Sequence, residues 1–296
     1  MKTKSLRNTA AIAATLLSTL NPQLSTCFAQ GSLTPPGAPA PTMKTLSQVE
    51  PRFPIPVIPT NLTVSGSYYL TANLIQTLGV TAITIGTDDI TIDLNGFALI
   101  GTNGAADGIT HGGGIRKNIC IKNGTIRNWR KGMELTGGGN DLIDHVRIYG
   151  NTEHGIHGFV SCTITDCQIA DNGLNGILLV GGSASLIRGC MVSGNGLDGI
   201  QVVGNTVIMG NQCTGPSSLA STNAGIRATS SGNRIDGNHI AFYGNGVLVS
   251  AAGNLVVRNT TSLTATNFAI GGGNLTGPIY TSGTGLSTNP FANVAY

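Results

Sequence analysis

Charge is what this 296-residue chain has least of: Asp, Glu, Lys and Arg make up 10% of it, against ~25% in an ordinary soluble domain. Aromatic residues supply 5%, with a single tryptophan, Trp129. Too few charged residues are present to clothe the outer faces of amphipathic helices, and no window holds a sustained 3.6-residue apolar period. The apolar run at 10–20 is too short to cross a bilayer as a helix. Without Lys2, Lys4 and Arg7 at the N-terminus, 13 basic residues face 13 acidic ones. Electrostatic capture of nucleic acid or of an anionic membrane is therefore not expected. Cysteine is also sparse. Cys27 lies near the N-terminus, and Cys120, Cys162, Cys167, Cys190 and Cys213 are an odd set, so at least one is unpaired within the chain. In a chain this long they do not read as a disulfide framework.

Residues 1–29 read as a secretory signal peptide: a basic start, the apolar run, then the small residues Cys27 and Ala29 before Gln30. This predicts a secreted protein, periplasmic or extracellular. A buried N-terminal helix ranks below it, as does lipidation at Cys27, where Thr26 is a poor preceding residue. Residues 30–60 hold eight of the twelve prolines and predict an extended leader.

Glycine, by contrast, is abundant at 43 residues. Two near-copies, NGLNGI at 172–177 and NGLDGI at 195–200, expose its pattern. The second copy with Gly194 matches the G-x-G-x-x-G dinucleotide fingerprint, which requires a following helix; here another strand-like run follows, so the motif is a turn. Glycine followed by an aliphatic residue recurs at Gly108, Gly132, Gly155, Gly176, Gly199, Gly225 and Gly246, spaced 24, 23, 21, 23, 26 and 21 apart, with a weaker copy at Ala269-Ile270. Between these lie short alternating runs such as ITIDL from Ile90, LIDHVRI from Leu142 and LIRGCMV from Leu186. Short strands and turns at a fixed period predict an all-β parallel solenoid of about eight coils, 21–26 residues each. Ile109, Met133, Ile156, Ile177, Ile200, Ile226 and Val247 should form one interior column. Asn128, Asn151, Asn172 and Asn195 should form a turn ladder, and Cys167, Cys190, Asn211, Asn238 and Asn259 a second. The outward column Thr125, Arg147, Gln168, Met191, Gln212, His239 and Thr260 lacks the regular threonines of an ice-binding face.

The stretches at 33–52 (LTPPGAPAPTMKTLSQVEPR), 65–74 (SGSYYLTANL), 90–101 (ITIDLNGFALIG), 121–129 (IKNGTIRNW) and 289–296 (NPFANVAY) resemble secreted bacterial repeat proteins of the pectin-lyase-like superfamily. That resemblance implies a single-stranded right-handed parallel β-helix over 61–276, with a capping tail at 277–296 and a polysaccharide or cell-envelope glycan as partner. Pectate lyases of the superfamily use aspartates around Ca²⁺ and an arginine. Its galacturonan hydrolases use aspartates in Asn-Thr-Asp, Asp-Asp and Gly-His-Gly contexts. Only fragments are present: Asp88-Asp89, which suits a turn, and the two-thirds matches His154-Gly155 and His157-Gly158.

Charge and histidine gather at 127–157. Stacking in the glycine register places Glu134 beside His157, Lys131 beside His154 and Arg130 beside Glu153, one coil apart. The candidate binding residues are Trp129, whose ring could stack on a sugar, with Arg130, Lys131, Glu134, Arg147, Glu153, His154 and His157. No metal site is expected: Gly137 to Asp141 is one isolated resemblance to a Ca²⁺ loop, and zinc at His154 and His157 lacks a third ligand. No cofactor is expected either. The sequence thus predicts an exported, carbohydrate-associated binding or structural protein without identifiable catalytic residues. The alternative is a polysaccharide lyase, epimerase or hydrolase with its site on residues 127–157.

Overall fold

The computed structural model describes residues 49–102, 106–216, 222–283 and 287–296. The expected signal segment, Cys27 and the leader up to residue 48 lie outside the described residues.

From residue 50 onward the elements are strands, joined in one continuous sheet in which every pairing is parallel and runs from coil to coil. A coil has three faces. In one, face A is Ile177–Leu179, face B is Ser185–Arg188 and face C is Met191–Ser193; they pair with Ile200–Val202, Thr206–Met209 and Gln212–Thr214 of the next. The solenoid has about ten coils, not eight, and at ~4.8 Å per coil it is a rod of about 45–50 Å. The first coils escape the glycine count because Pro59 precedes Thr60 and Ala82 precedes Ile83 where later coils have glycine. Ladder pairing begins at Phe53–Ile55, inside the expected leader. The tail joins the sheet too, since Asn293–Ala295 pairs with both Thr260–Ser262 and Ile279–Thr281.

The interior column runs as the sequence predicts, Ile109–Met133–Ile156–Ile177–Ile200–Ile226–Val247, and all seven are fully buried. Each such side chain contributes about 1.5–3 kcal/mol by leaving water. In the last coil the partner of Val247 is Phe268, so the copy at Ala269-Ile270 was two residues out of register. The glycine before each column residue is required by close approach. A Cβ on Gly176 would lie 2.7 Å from the carbonyl oxygen of Gly199, and on Gly155 2.7 Å from that of Gly176. Between faces B and C the chain bends through one residue with positive φ, successively Asn123, His145, Asp166, Gly189, Gly210, Gly237 and Arg258.

Buried polar ladders tie the coils. Asn238 accepts the Asn211 N–H at 2.9 Å, and its own carboxamide donates to Asn259 Oδ1 at 2.9 Å; the same pattern runs on to Asn293. Cys190 donates its N–H to Asn211 Oδ1 at 2.9 Å, which places the cysteines on this ladder as small buried residues. The five described cysteines are all free thiols. In the other expected ladder, Asn151, Asn172 and Asn195 are joined, with carboxamide contacts of 2.8 and 2.9 Å. Asn128 is not a member. Its place is taken by Trp129, whose N–H donates to Asn151 Oδ1 at 2.9 Å. A third ladder, Asn233–Asn254–Asn274 with Thr206 before it, was not anticipated.

Candidate functional site

The charge cluster forms at the corner where face C turns into face A. The chain there is turn residue, glycine, inward aliphatic, outward residue, so Lys131 and Glu134 flank Gly132-Met133, and His154 and His157 flank Gly155-Ile156 one coil later. Glu134 is in register with His157, as expected. His157 Nδ1 lies 2.9 Å from Glu134 Oε2. Lys131 Nζ is bonded to Glu134 and lies 3.3 Å from His157 Nδ1. The Thr136 hydroxyl donates to the other Glu134 oxygen. The shorter Glu134 contact assigns the Nδ1 proton of His157 to the carboxylate, and His157 Nε2 is left buried without a hydrogen-bond partner. Burial raises the pKa of Glu134, but the bonds from His157, Lys131 and Thr136 outweigh it and hold the group at about 2.

Arg130 pairs with Asp107 at 2.7 Å and reaches Glu153 at 3.8 Å, confirming the expected neighbour and adding one that sequence reasoning missed. Lys131 Nζ lies 3.9 Å from Glu153. The rings of His154 and His157 are 5.3 Å apart. His154 Nδ1 accepts the Asn175 N–H at 3.2 Å, so that nitrogen is not free for a metal. Burial, then the charges of His157 and Lys131, lower His154 to about 4.

Two expected members are elsewhere. Trp129 is 2% exposed, its indole N–H donates to the Leu99 carbonyl at 3.1 Å, and it cannot stack on a sugar. Room for it comes from glycines: a Cβ on Gly101 would meet its ring at 2.7 Å. Arg147 is exposed on face C, between Thr125 and Gln168, away from the cluster. Asp88 and Asp89 sit in a turn and accept from the Lys117 N–H at 3.1 Å and the Asn118 amide at 2.7 Å.

The polar row continues beyond the predicted span. On face A the outward residues after His157 are Leu178, Gln201 and Arg227. Along the corner the turn residues are Asp107, Lys131, His154, Asn175 and Asp198. Asn175 donates to Gln201 at 2.8 Å, and Arg227 is paired with buried Asp198 through two contacts of 2.5 and 3.0 Å. These residues precede glycines or follow the column residue, a signal legible once the register is known. At the B–C bend Asp144, His145 and Asp166 bring one ligand atom each within 4.8 Å of one another, but His145 Nδ1 is already 2.8 Å from Asp144. Among the described residues no helix is long and apolar enough to cross a membrane.

A family model described as the right handed beta helix region matches residues 61–214. Two solved structures share the fold. The A-module of mannuronan C-5 epimerase AlgE4 from Azotobacter vinelandii matches with a TM-score of 0.51 at 14% identity, over 77% of this chain and 76% of that one. The Dettilon tailspike protein matches with a TM-score of 0.53 at 14% identity, over 82% of this chain and 61% of that one. No curated protein matches in sequence.

Proposed function

The chain belongs to the right-handed β-helix family, and from that premise we propose that it is an exported solenoid that binds a polysaccharide along the A-face corner without cleaving it. The observation that carries this is the polar row at the surface of the corner: Glu134 and Lys131, then His157 and His154, then, beyond Leu178, Gln201 and Arg227, which buried Asn175 and Asp198 hold from beneath. Successive coils lie ~4.8 Å apart, close to the length of one pyranose in an extended chain, so a glycan laid along the axis meets donors and acceptors on the coils either side of Leu178. The named folds of an epimerase of mannuronan and of a tailspike are compatible with such a partner. The charges at the observed cluster nearly cancel, Asp107, Glu134 and Glu153 against Arg130 and Lys131, which suits recognition through hydrogen bonds.

Binding is favoured over catalysis because the titratable groups are poorly poised. A general acid or base works best with a pKa near the working pH, whereas Glu134 lies at about 2 and His154 at about 4. One observation supports the enzyme reading. Glu134 holds His157 through Nδ1 and leaves Nε2 as the unpartnered ring nitrogen, the arrangement of an oriented base when the ring is neutral. For that base to act, Nε2 must first be uncovered.

The test is to titrate the protein with neutral and uronic-acid polysaccharides, with and without Ca²⁺, and to follow affinity, new reducing ends, unsaturated ends and epimer content together. Saturable binding with no chemical change, weakened by Glu134→Gln, is expected. Turnover abolished by His157→Gln with binding retained would replace this reading by the enzyme.

A further inference from the structure

We propose that Phe159, with Val180 and Val203 in the two coils after it, is the platform on which the apolar face of a sugar ring stacks beside the polar row. The inference rests on the glycan-binding reading above and deepens it by naming what the apolar column beside the polar row does.

The strand Ile156–Thr165 alternates, with Ile156 buried, His157 half-buried, Gly158 buried and Phe159 exposed. His157 and Phe159 therefore stand on the same outer face, about 7 Å apart along the strand. Phe159 and Val180 are each 38% exposed. Val180 follows Leu179, the partner of Gly158, and Val203 follows Val202, the partner of Leu179. The three side chains thus form a column, one coil apart. They lie on the other side of the His157–Leu178–Gln201 row from the polar turn residues His154, Asn175 and Asp198. Gly181 and Gly182 follow Val180 and Gly204 follows Val203, so in those two coils the following positions raise no side chain over the column; in the first, Val160 follows Phe159.

Packing does not account for Phe159: its ring is outside the buried core cluster. The same column carries threonine in the coils on either side. Thr136 follows Leu135, the partner of Gly158, and Thr229 follows Ala228, the partner of Val202. The apolar stretch is therefore confined to three coils, ~10 Å, bounded by Glu134 on one side and Arg227 on the other. An exposed apolar column of limited length beside a hydrogen-bonding row marks a binding site for an amphipathic partner. A pyranose is such a partner, with a C–H face that an aromatic ring covers and a rim of hydroxyls that reach the polar row. Two to three consecutive rings fit this length.

The experiment measures affinity of the whole chain for a panel of neutral and uronic-acid β-linked hexasaccharides by calorimetry. Phe159→Ala should weaken the best-bound member at least tenfold, while Phe159→Trp stays within threefold of wild type. Met191→Ala, an exposed apolar residue of face C, should bind as wild type. Melting temperature should fall only slightly in Phe159→Ala, because the ring lies outside the buried core cluster. Wild-type affinity in Phe159→Ala together with loss in Glu134→Gln would overturn the platform and leave the polar row as the binding site. No binding of any member by the wild type would overturn both.

Discussion

Single asparagines and glycines hold this stack in register, and their loss should be felt far more than their size suggests. In Asn238 one carboxamide accepts from Asn211 and donates to Asn259 and to the Ile208 carbonyl at 3.0 Å, all buried. Asn238→Ala leaves those groups unpaired and should lower stability by on the order of 3 kcal/mol in urea unfolding. Trp129 makes a second residue-scale prediction. Because the sole tryptophan is in the core, its fluorescence should be that of a buried indole and should not shift when a glycan binds; a ligand-dependent shift would return it to the surface. Acid should destabilise through His154 and Glu134, among other groups. His154 is held at about 4, below its unfolded value of 6.5, so the unfolded chain binds more protons between these values and stability falls as pH drops from 6.5 towards 4. Glu134, held at about 2, adds a loss as pH drops below its ordinary 4.5. The slope of melting temperature against pH between 6.5 and 4 should shrink in His154→Asn.

At the scale of strands and turns, the most unusual contact is inside the solenoid, where His111 Nε2 lies 3.8 Å from Asp141 Oδ2. Burial lifts Asp141 to about 7, and burial, with the charge of Arg116, lowers His111 to about 4. A carboxyl with a raised pKa contributes stability below its unfolded value and loses it as pH rises through the folded one. Asp141→Asn keeps an acceptor for the Ile119 N–H and should therefore raise the melting temperature at pH 8 relative to wild type, with little difference near pH 4. Equal melting at pH 8 would contradict the assignment. The elements themselves were largely legible. Glycine before an aliphatic residue marks a place where two backbones touch, so it recorded the register of face A and, through it, the meeting of Glu134 with His157. The outward column from Thr125 to Thr260 pairs residue for residue as read. The count of coils falls short because Ala82 and Pro59 replace the glycine in the first ones. Counting back from the glycine points to Asn128 in place of Trp129 because this corner is one residue shorter: Trp129 lies three residues before Gly132, whereas Asn151 lies four before Gly155. An apolar ring of Trp129's size reads alike in sequence whether it fills glycine notches or faces solvent. Phe159 was passed over for the same reason: its outward direction follows from an alternation that only the completed register reveals.

Across the solenoid as a whole, the proposed glycan recognition falls to one edge, and the other faces serve the stack. Hydrogen exchange of the protein with and without a saturating bound oligosaccharide tests this most directly. Protection is predicted in segments 130–136, 153–160, 174–180 and 197–203, with faces B and C unchanged. Protection centred on the exposed residues of face C, around Arg147 and Met191, with none at 153–160, would contradict it.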